Sequence, residues 1–308
     1  MDTCAAPAGE DLPAGRIAHL QRFSTTNGPG LRSTLFLKGC PLRCLWCHNP
    51  EMQAFGAELM VYQAQCALCG ACVQACPNGV HALEGGVHTV DRRGCRLCGR
   101  CQALCPGGAI ELVGQSCTPR QALERLLRDR PFYATSGGGV TLSGGEPLAQ
   151  FDFTRALLAL CGQAGLHRCL DTSGWGGRAP ELVGLVDLFL WDVKETDPQL
   201  HLRFTGVALE PILESLERID ALGGRVRLRC PIVPGVNDRP AHLEALGDLA
   251  QRLACVEAVD LVPYHSLGLA KARALGLEQP AYPALHAQAK AALLERLRAR
   301  TRKPAAWL

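Results

Sequence analysis

The chain has 308 residues, room for one large α/β domain or two smaller ones, with 47% hydrophobic and 20% charged residues and a formal net charge of +3. So small a charge gives no ground for a nucleic acid partner, and no apolar run approaches the roughly 20 residues that cross a bilayer. Seventeen cysteines, an odd count with CxxC-like spacings, argue against a secreted disulfide framework and for metal ligation in a reducing cytoplasm.

Residues 1–15, rich in Ala, Pro and Gly and holding Cys4, read as a loose lead-in, and no basic start followed by an apolar run marks a leader peptide. Residues 32–38 (RSTLFLK) read as a buried strand ending at Gly39 and a loop with three cysteines. From about Cys66 to Cys105 the chain is dense in Cys and Gly, with no period long enough to build a core. After Gln115 ordinary alternation resumes. Thr118 caps a helix with Pro119 at its first position, predicted to run to about 129. Strands are predicted near 139–142, 167–170, 186–191, 225–230 and 258–262, and helices over 151–164, 209–222, 241–253 and about 283–300. The chain divides into residues 1–60, an insert over 61–113, and residues 114–308. Six strands alternating with helices imply a parallel sheet with right-handed crossovers, either barrel-like or open and doubly wound.

Each chemically suggestive motif follows the C-terminal end of a predicted strand, the edge where parallel α/β folds bind ligands. In chain order these are Cys40–Cys47, the Ser143-Gly144-Gly145-Glu146-Pro147 turn, Asp171-Thr172-Ser173-Gly174, Asp192-Val193-Lys194, Arg229, and Pro263-Tyr264-His265. The CxxxCxxC spacing of Cys40, Cys44 and Cys47 suits three thiolate ligands of a 4Fe–4S cube, with one iron left open; a structural metal site would show the same spacing. The two glycines before Glu146 let a ligand approach backbone closely, and a carboxylate there can meet an ammonium group. Arg229 interrupts an apolar strand, where a charge needs a partner.

Within the insert, Cys66-x2-Cys69-x2-Cys72-x3-Cys76-Pro77 is repeated as Cys95-x2-Cys98-x2-Cys101-x3-Cys105-Pro106. This is the two-cluster ferredoxin pattern, whose fourth cysteine serves the other cluster. One 4Fe–4S cluster is then expected on Cys66, Cys69, Cys72 and Cys105, the other on Cys95, Cys98, Cys101 and Cys76; zinc knuckles are the alternative. Cys4, Cys117, Cys161, Cys169, Cys230 and Cys255 have no assigned role.

Together these residues resemble the radical S-adenosylmethionine (SAM) superfamily, and within it the activating enzymes of glycyl radical enzymes that carry two auxiliary clusters. The resemblance runs from about Ile17 to the last helix. Its landmarks are NGPGLR (27–32), GCPLRCLWCHNPE (39–51), SGGGVTLSGGEPL (136–148), LDTSG (170–174), WDVKETDPQLH (191–201), PIVPGVND (231–238) and PYHSLG (263–268). It implies a partial (β/α)6 barrel with a ferredoxin-like insert, three 4Fe–4S clusters, and SAM on the open iron of the Cys40/Cys44/Cys47 cluster. Trp46, Cys47 and His48 would lie along SAM. Gly144, Gly145 and Glu146 would hold its amino group, and Asp192, Val193, Lys194, Arg229 and His265 would line the rest. A monovalent cation would map onto Asp171, Thr172 and Asp192. The implied reaction cleaves SAM reductively to methionine and a 5′-deoxyadenosyl radical, which takes a hydrogen atom from a glycine Cα of the partner. A flavodoxin or ferredoxin-type protein would supply the electron. A radical SAM enzyme acting on a small molecule or peptide, and a non-catalytic ferredoxin-like carrier, are the rival readings. Two departures stand out: Asn27 where the family usually has Asp, and Ser173 where relatives often have Asn.

Overall fold

The computed structural model describes residues 12–308, so Cys4 and most of the expected lead-in lie outside the described residues. Gly15–Ser24 forms a strand, β1, that its mixed polar sequence does not announce, antiparallel to the wholly buried β2 (Arg32–Leu37). The cysteine-rich segment is bracketed by β3 (Glu58–Val61) and β6 (Ile110–Val113), an antiparallel pair. Between them lie α1 (Ala71–Ala75), the hairpin β4 (His81–Glu84) and β5 (Val87–Val90), and α2 (Arg100–Ala103). The segment was expected to lack a core, yet Leu59, Val61 and Ile110 of the bracketing strands close over Cys72 and Cys101. The apolar cover comes from β3 and β6, which is why a reading of the cysteine runs alone misses it.

After β7 (Gln115–Cys117) comes α3 (Pro119–Leu127), whose Thr118 side chain accepts from the Gln121 amide while Gln121 reaches back to the Thr118 amide. The chain continues through α4 (Arg130–Ser136), β8 (Gly139–Gly144), α5 (Phe151–Gln163), β9 (His167–Thr172), β10 (Leu188–Asp192), α6 (Pro198–Thr205) and α7 (Glu210–Ala221). It ends with β11 (Val226–Ile232), α8 (Pro240–Arg252), β12 (Val256–Pro263), α9 (Leu267–Leu275), α10 (Ala287–Arg298) and β13 (Ala305–Trp307). Every strand and helix predicted after Gln115 is present. The unpredicted α4, α6 and α9 are short, and β13 is a three-residue edge strand.

The main sheet has the order β13-β12-β11-β10-β9-β8-β2-β1-β7. From β2 to β13 neighbours are parallel, and only β1 is reversed, antiparallel to both its neighbours β2 and β7. The order never reverses along the parallel strands, whereas a doubly wound sheet needs such a reversal. That alternative is therefore excluded. One large core joins Leu35, Leu142, Leu170, Trp191, Leu228 and Leu261 of the strands to α3, α5, α7, α8 and α10.

Side chains alternate across a strand, so the residues in between face the other way. That second face carries Arg32, Thr34, Thr141, Ser143, Asp171, Asp192 and Arg229, with a small apolar floor of Cys169, Leu188 and Leu190. Beyond β10, buried Glu195 ties the chain to α8: it accepts from the Thr196 and Asp197 amides and from Arg239, beside His242. Burial opposes this charge, but His242, the Asp197 amide and Arg239 outweigh it and bring the Glu195 carboxyl down to about 2. A depressed carboxyl stabilises the fold above its unfolded value near 4.5 and loses that contribution as pH falls toward 2. Glu195→Gln is therefore expected to remove about 3 kcal/mol of stability at neutral pH and to flatten acid unfolding between pH 4.5 and 2. Superimposable acid-unfolding curves would refute this.

Candidate active site and cysteine cages

Strand β2 delivers Cys40, Cys44 and Cys47 to the sheet's C-terminal edge, and the loop is held mostly by backbone. Gly39 and Cys40 amides donate to Met52 and Gln53 carbonyls at 2.8 and 3.0 Å, and Arg43 and Leu45 amides donate to Thr205 and Phe204 of α6 at 2.6 and 3.1 Å. Arg43 Nη1 caps the carbonyls of Cys40 and Leu42. A second clamp comes from the other end of the chain. Lys271 of α9 reaches Asn49 Oδ1 at 2.7 Å and Glu51 Oε1 at 2.6 Å, and Gln279 Nε2 donates to the Cys47 carbonyl at 2.8 Å. Gly268 lies so close that an added Cβ would sit 2.4 Å from the Cys47 carbonyl oxygen.

The three half-buried cysteines lie close enough for their thiols to bear on one another. Burial raises all three; Glu146 and the neighbouring thiols add to it at Cys40, and Cys44 is pushed up to about 12. Three such groups stay protonated without a cation to take up their charge, and iron is a cation that would do so.

The Gly144–Glu146 turn packs under this loop. Gly144 has φ +124°, and the Gly145 and Glu146 amides donate to Leu37 and Gly39. The Glu146 carboxylate does not reach outward. It accepts from the Leu148 amide, the Thr172 hydroxyl, and the Ser173 amide and hydroxyl, and so staples this turn to the end of β9. Burial pushes its carboxyl up, against those hydrogen bonds. Ser173, the departure noted in the sequence, thus supplies two of the bonds.

On the inner face, Asp171 Oδ2 accepts from Ser143 at 2.7 Å and from Arg229 Nη1 at 3.3 Å, while Oδ1 is buried with no hydrogen-bond partner. Arg229 Nη1 also donates to Asn27 Oδ1 at 3.2 Å, and Asn27 Nδ2 donates to Thr34. Asn27 is thus an interior residue rather than a rim residue. An aspartate there would put a second carboxylate on this arginine; the amide keeps a single charge pair. Burial works against the Arg229 charge, and Asp171 and Asp192 more than compensate. Lys194 Nζ lies 2.7 Å from Asp192 Oδ2, which raises the lysine despite its burial, and its carbonyl is held by Asn237 of the 231–238 landmark.

His48 and His265 stack edge to face at 4.0 Å. Desolvation, then neighbouring His265 and Lys271, lowers His48 to about 3, so it is neutral at physiological pH. Trp46 packs edge-on against Phe204, and Val193 is buried with its amide on Arg229. The sequence-predicted residues therefore fall into a rim set (Cys40, Cys44, Cys47, His48, His265), an inner charged set (Asp171, Asp192, Lys194, Arg229) and a packing set (Trp46, Val193, Glu146). Sequence reasoning missed Lys271, Gln279 and Gly268 as loop clamps. Lys271 and Gln279 lie outside every landmark, and only their contacts reveal them.

In the insert the two runs fold alike. Leu68 and Leu97 both have φ +53°, and Gly70 and Gly99 have φ +76° and +74°. Two cavities result. The first is lined by Cys66, Cys69, Cys72 and Cys105, the second by Cys76, Cys95, Cys98 and Cys101. Three sulfurs thus come from one run and the fourth from the other. Backbone amides point at the sulfurs: Leu97 to Cys95 at 3.4 Å, Ala109 to Cys105 at 3.3 Å. Amides led by Val80 lower the Cys76 thiol. All sixteen cysteines among the described residues are free of disulfides.

The family of 4Fe–4S single cluster domains matches residues 26–177. The benzylsuccinate synthase activating enzyme of Thauera aromatica is 43% identical over 269 residues, covering 84% of this chain and 81% of that protein. This chain belongs to the radical SAM activating enzymes of glycyl radical enzymes. The choline trimethylamine-lyase activating enzyme of Oleidesulfovibrio alaskensis is another such relative, 40% identical over 86% of this chain and 88% of its own. So is the trans-4-hydroxy-L-proline dehydratase activating enzyme of Clostridioides difficile, 40% identical over 82% and 85%. A domain of a pyruvate-formate lyase-activating enzyme from Bacteroides vulgatus superposes with TM-score 0.46 at 26% identity, over 56% of this chain and 99% of that one. As an activating enzyme, the chain generates a glycyl radical on a partner enzyme. Among the described residues no helix is long and apolar enough to cross a membrane.

Proposed function

We propose that this activating enzyme works as a partial (β/α)6 radical SAM barrel over residues 1–60 and 114–308, with a ferredoxin-like insert over 61–113 and three 4Fe–4S clusters. The observation that carries this reading is the convergence of Cys40, Cys44 and Cys47 above a charged inner face bearing Asp171, Asp192, Lys194 and Arg229. The three buried thiols fit a cluster with one iron open, and the two four-cysteine cavities fit the auxiliary clusters. Held by Cys40, Cys44 and Cys47, the first cluster would supply the electron for reductive cleavage of SAM to methionine and the 5′-deoxyadenosyl radical that would take the glycine hydrogen of the partner.

The chain's own residues bind and orient. Gly144 and Gly145 expose backbone for the SAM amino group, and Lys194 and Arg229 fix negative groups. His48 and His265, both neutral, line the entry. The orphaned Oδ1 of Asp171 suits a monovalent cation shared with Thr172 and Asp192. A recessed inner face also keeps water and stray hydrogen donors from a reactive radical. The insert would relay electrons from a flavodoxin or ferredoxin-type reductant of the cytoplasm.

The test is anaerobic reconstitution with SAM and dithionite, then addition of a candidate partner. 5′-Deoxyadenosine and a glycyl radical signal in electron paramagnetic resonance (EPR) are expected; absence of 5′-deoxyadenosine with clusters bound would overturn the reading. Lys271→Met, which frees Asn49 and Glu51 beside the cysteine loop, is expected to slow SAM cleavage by about 10–100-fold, as for groups that orient metal ligands. An unchanged rate would show that the clamp is dispensable.

A further inference from the structure

Two histidines of the β4–β5 hairpin have no part in the reading above. Both are buried: His81, which opens β4, is 4% exposed and His88 in β5 is 2% exposed. His88 Nδ1 lies 3.6 Å from Cys66 Sγ, and its Nε2 lies 3.6 Å from Cys72 Sγ, so both ring nitrogens face sulfurs of the first cage. The same Nε2 is 2.9 Å from His81 Nδ1. The remaining nitrogen of the pair, His81 Nε2, is buried without a hydrogen-bond partner. His81 also forms part of the wall of the second cage, so the two rings fill the partition between the cages. Gln63 fixes the strand beneath them, donating to the His88 carbonyl at 2.5 Å and accepting from its amide at 3.3 Å.

A neutral imidazole carries one N–H, and a cysteine sulfur bound to iron can only accept. With the proton on Nδ1, His88 donates to Cys66 and accepts from His81 Nδ1–H. With the proton on Nε2, the nearer acceptor is His81 Nδ1 at 2.9 Å, not Cys72 at 3.6 Å. The Nδ1–H tautomer therefore presents an N–H to a sulfur of the first cage, and a proton on His81 Nδ1 selects that tautomer. Reduction adds negative charge to a cluster, and hydrogen bonds to its sulfurs stabilise that charge.

We propose that His88, its ring held by His81, is a positioning residue that raises the reduction potential of the cluster in the first cage by donating an N–H to Cys66. The inference rests on the reading that the cages hold 4Fe–4S clusters.

The experiment uses the full chain with Cys40→Ala, Cys44→Ala and Cys47→Ala, so that only the two cages contribute a signal, reconstituted anaerobically and titrated with dithionite under EPR. His88→Leu is expected to lower one of the two couples so that, at a fixed potential, its reduced-to-oxidised ratio falls about tenfold, which is about 59 mV for one electron. His88→Asn, which returns an N–H near the Nδ1 position, is expected to recover most of the shift. His81→Leu is expected to move the same couple downward by less. Two unmoved couples in His88→Leu, or a His88→Asn variant no different from it, would overturn the proposal. If His88→Leu binds less iron, the comparison of His88→Asn and His81→Leu with the parent decides it by the same directions. Failure of the underlying reading looks different: the parent itself would bind no iron, or would hold zinc on Cys72, His81 and His88, whose ligand atoms lie within 4.8 Å of one another.

Discussion

Cys44→Ala is expected to abolish 5′-deoxyadenosine formation while leaving the auxiliary cages filled. Cys44 sits on a loop whose backbone is tied to α6 on one side and to residues 52–53 on the other, so removing its side chain leaves the loop in place. What is lost is one of three thiolate ligands, and with it the cluster whose open iron SAM would bind. Loss of a group that merely orients a ligand costs about 10–100-fold, so loss of the ligand itself should exceed about 10³-fold. Iron content should fall by about a third, from about twelve to about eight per chain, if three 4Fe–4S clusters are present. SAM cleavage that survives in Cys44→Ala would mean the reactive centre is elsewhere.

The second large effect is expected at Asp171. Its side chain and that of Arg229 are 15% and 13% exposed, and they form a charge pair that Ser143 and Asn27 complete. Breaking such a pair from one side leaves a charge without compensation, a cost of about 3–5 kcal/mol. Asp171→Ala should therefore lower the melting temperature of the anaerobic chain by at least about 5 °C. Removing both charges is far less costly, so Asp171→Asn combined with Arg229→Gln should recover much of the loss. Single and double variants that melt alike would argue that Asp192, which also bears on Arg229, carries the balance instead. The same variants should differ from Cys44→Ala in kind: their iron content stays near that of the parent while stability falls.

The contrast between these two sites reflects how each is written in the chain. Cys40, Cys44 and Cys47 are local in sequence, as are the two ferredoxin-like runs, and a thiolate-rich spacing has few other uses. Strands and helices after Gln115 were equally legible, because apolar periodicity and the Thr118 cap are short-range signals. The mixed sequence of β1 was not, since its pairing is with β2 and β7 rather than with anything in its own composition. Glu146 was read as a group for an ammonium; its carboxylate instead bridges to Thr172 and Ser173, residues distant in sequence. Asn27 looked like an isolated departure. Its meaning depends on Arg229, about two hundred residues later, and on the interior position both occupy.

What residue order alone determines here is the family, the spacing of the cysteines and the alternation of elements, all of which depend on neighbours within one turn, one strand or one loop. Three further properties required the folded chain. The unreversed strand order excludes a doubly wound sheet. The inner face collects Asp171, Asp192, Lys194 and Arg229 from three successive strands and their ends. And α9 closes over the cysteine loop through Lys271. Each is a contact between segments far apart in the chain. Charge pairing and close packing are set by distance in space, and no local pattern encodes which distant partner will arrive there.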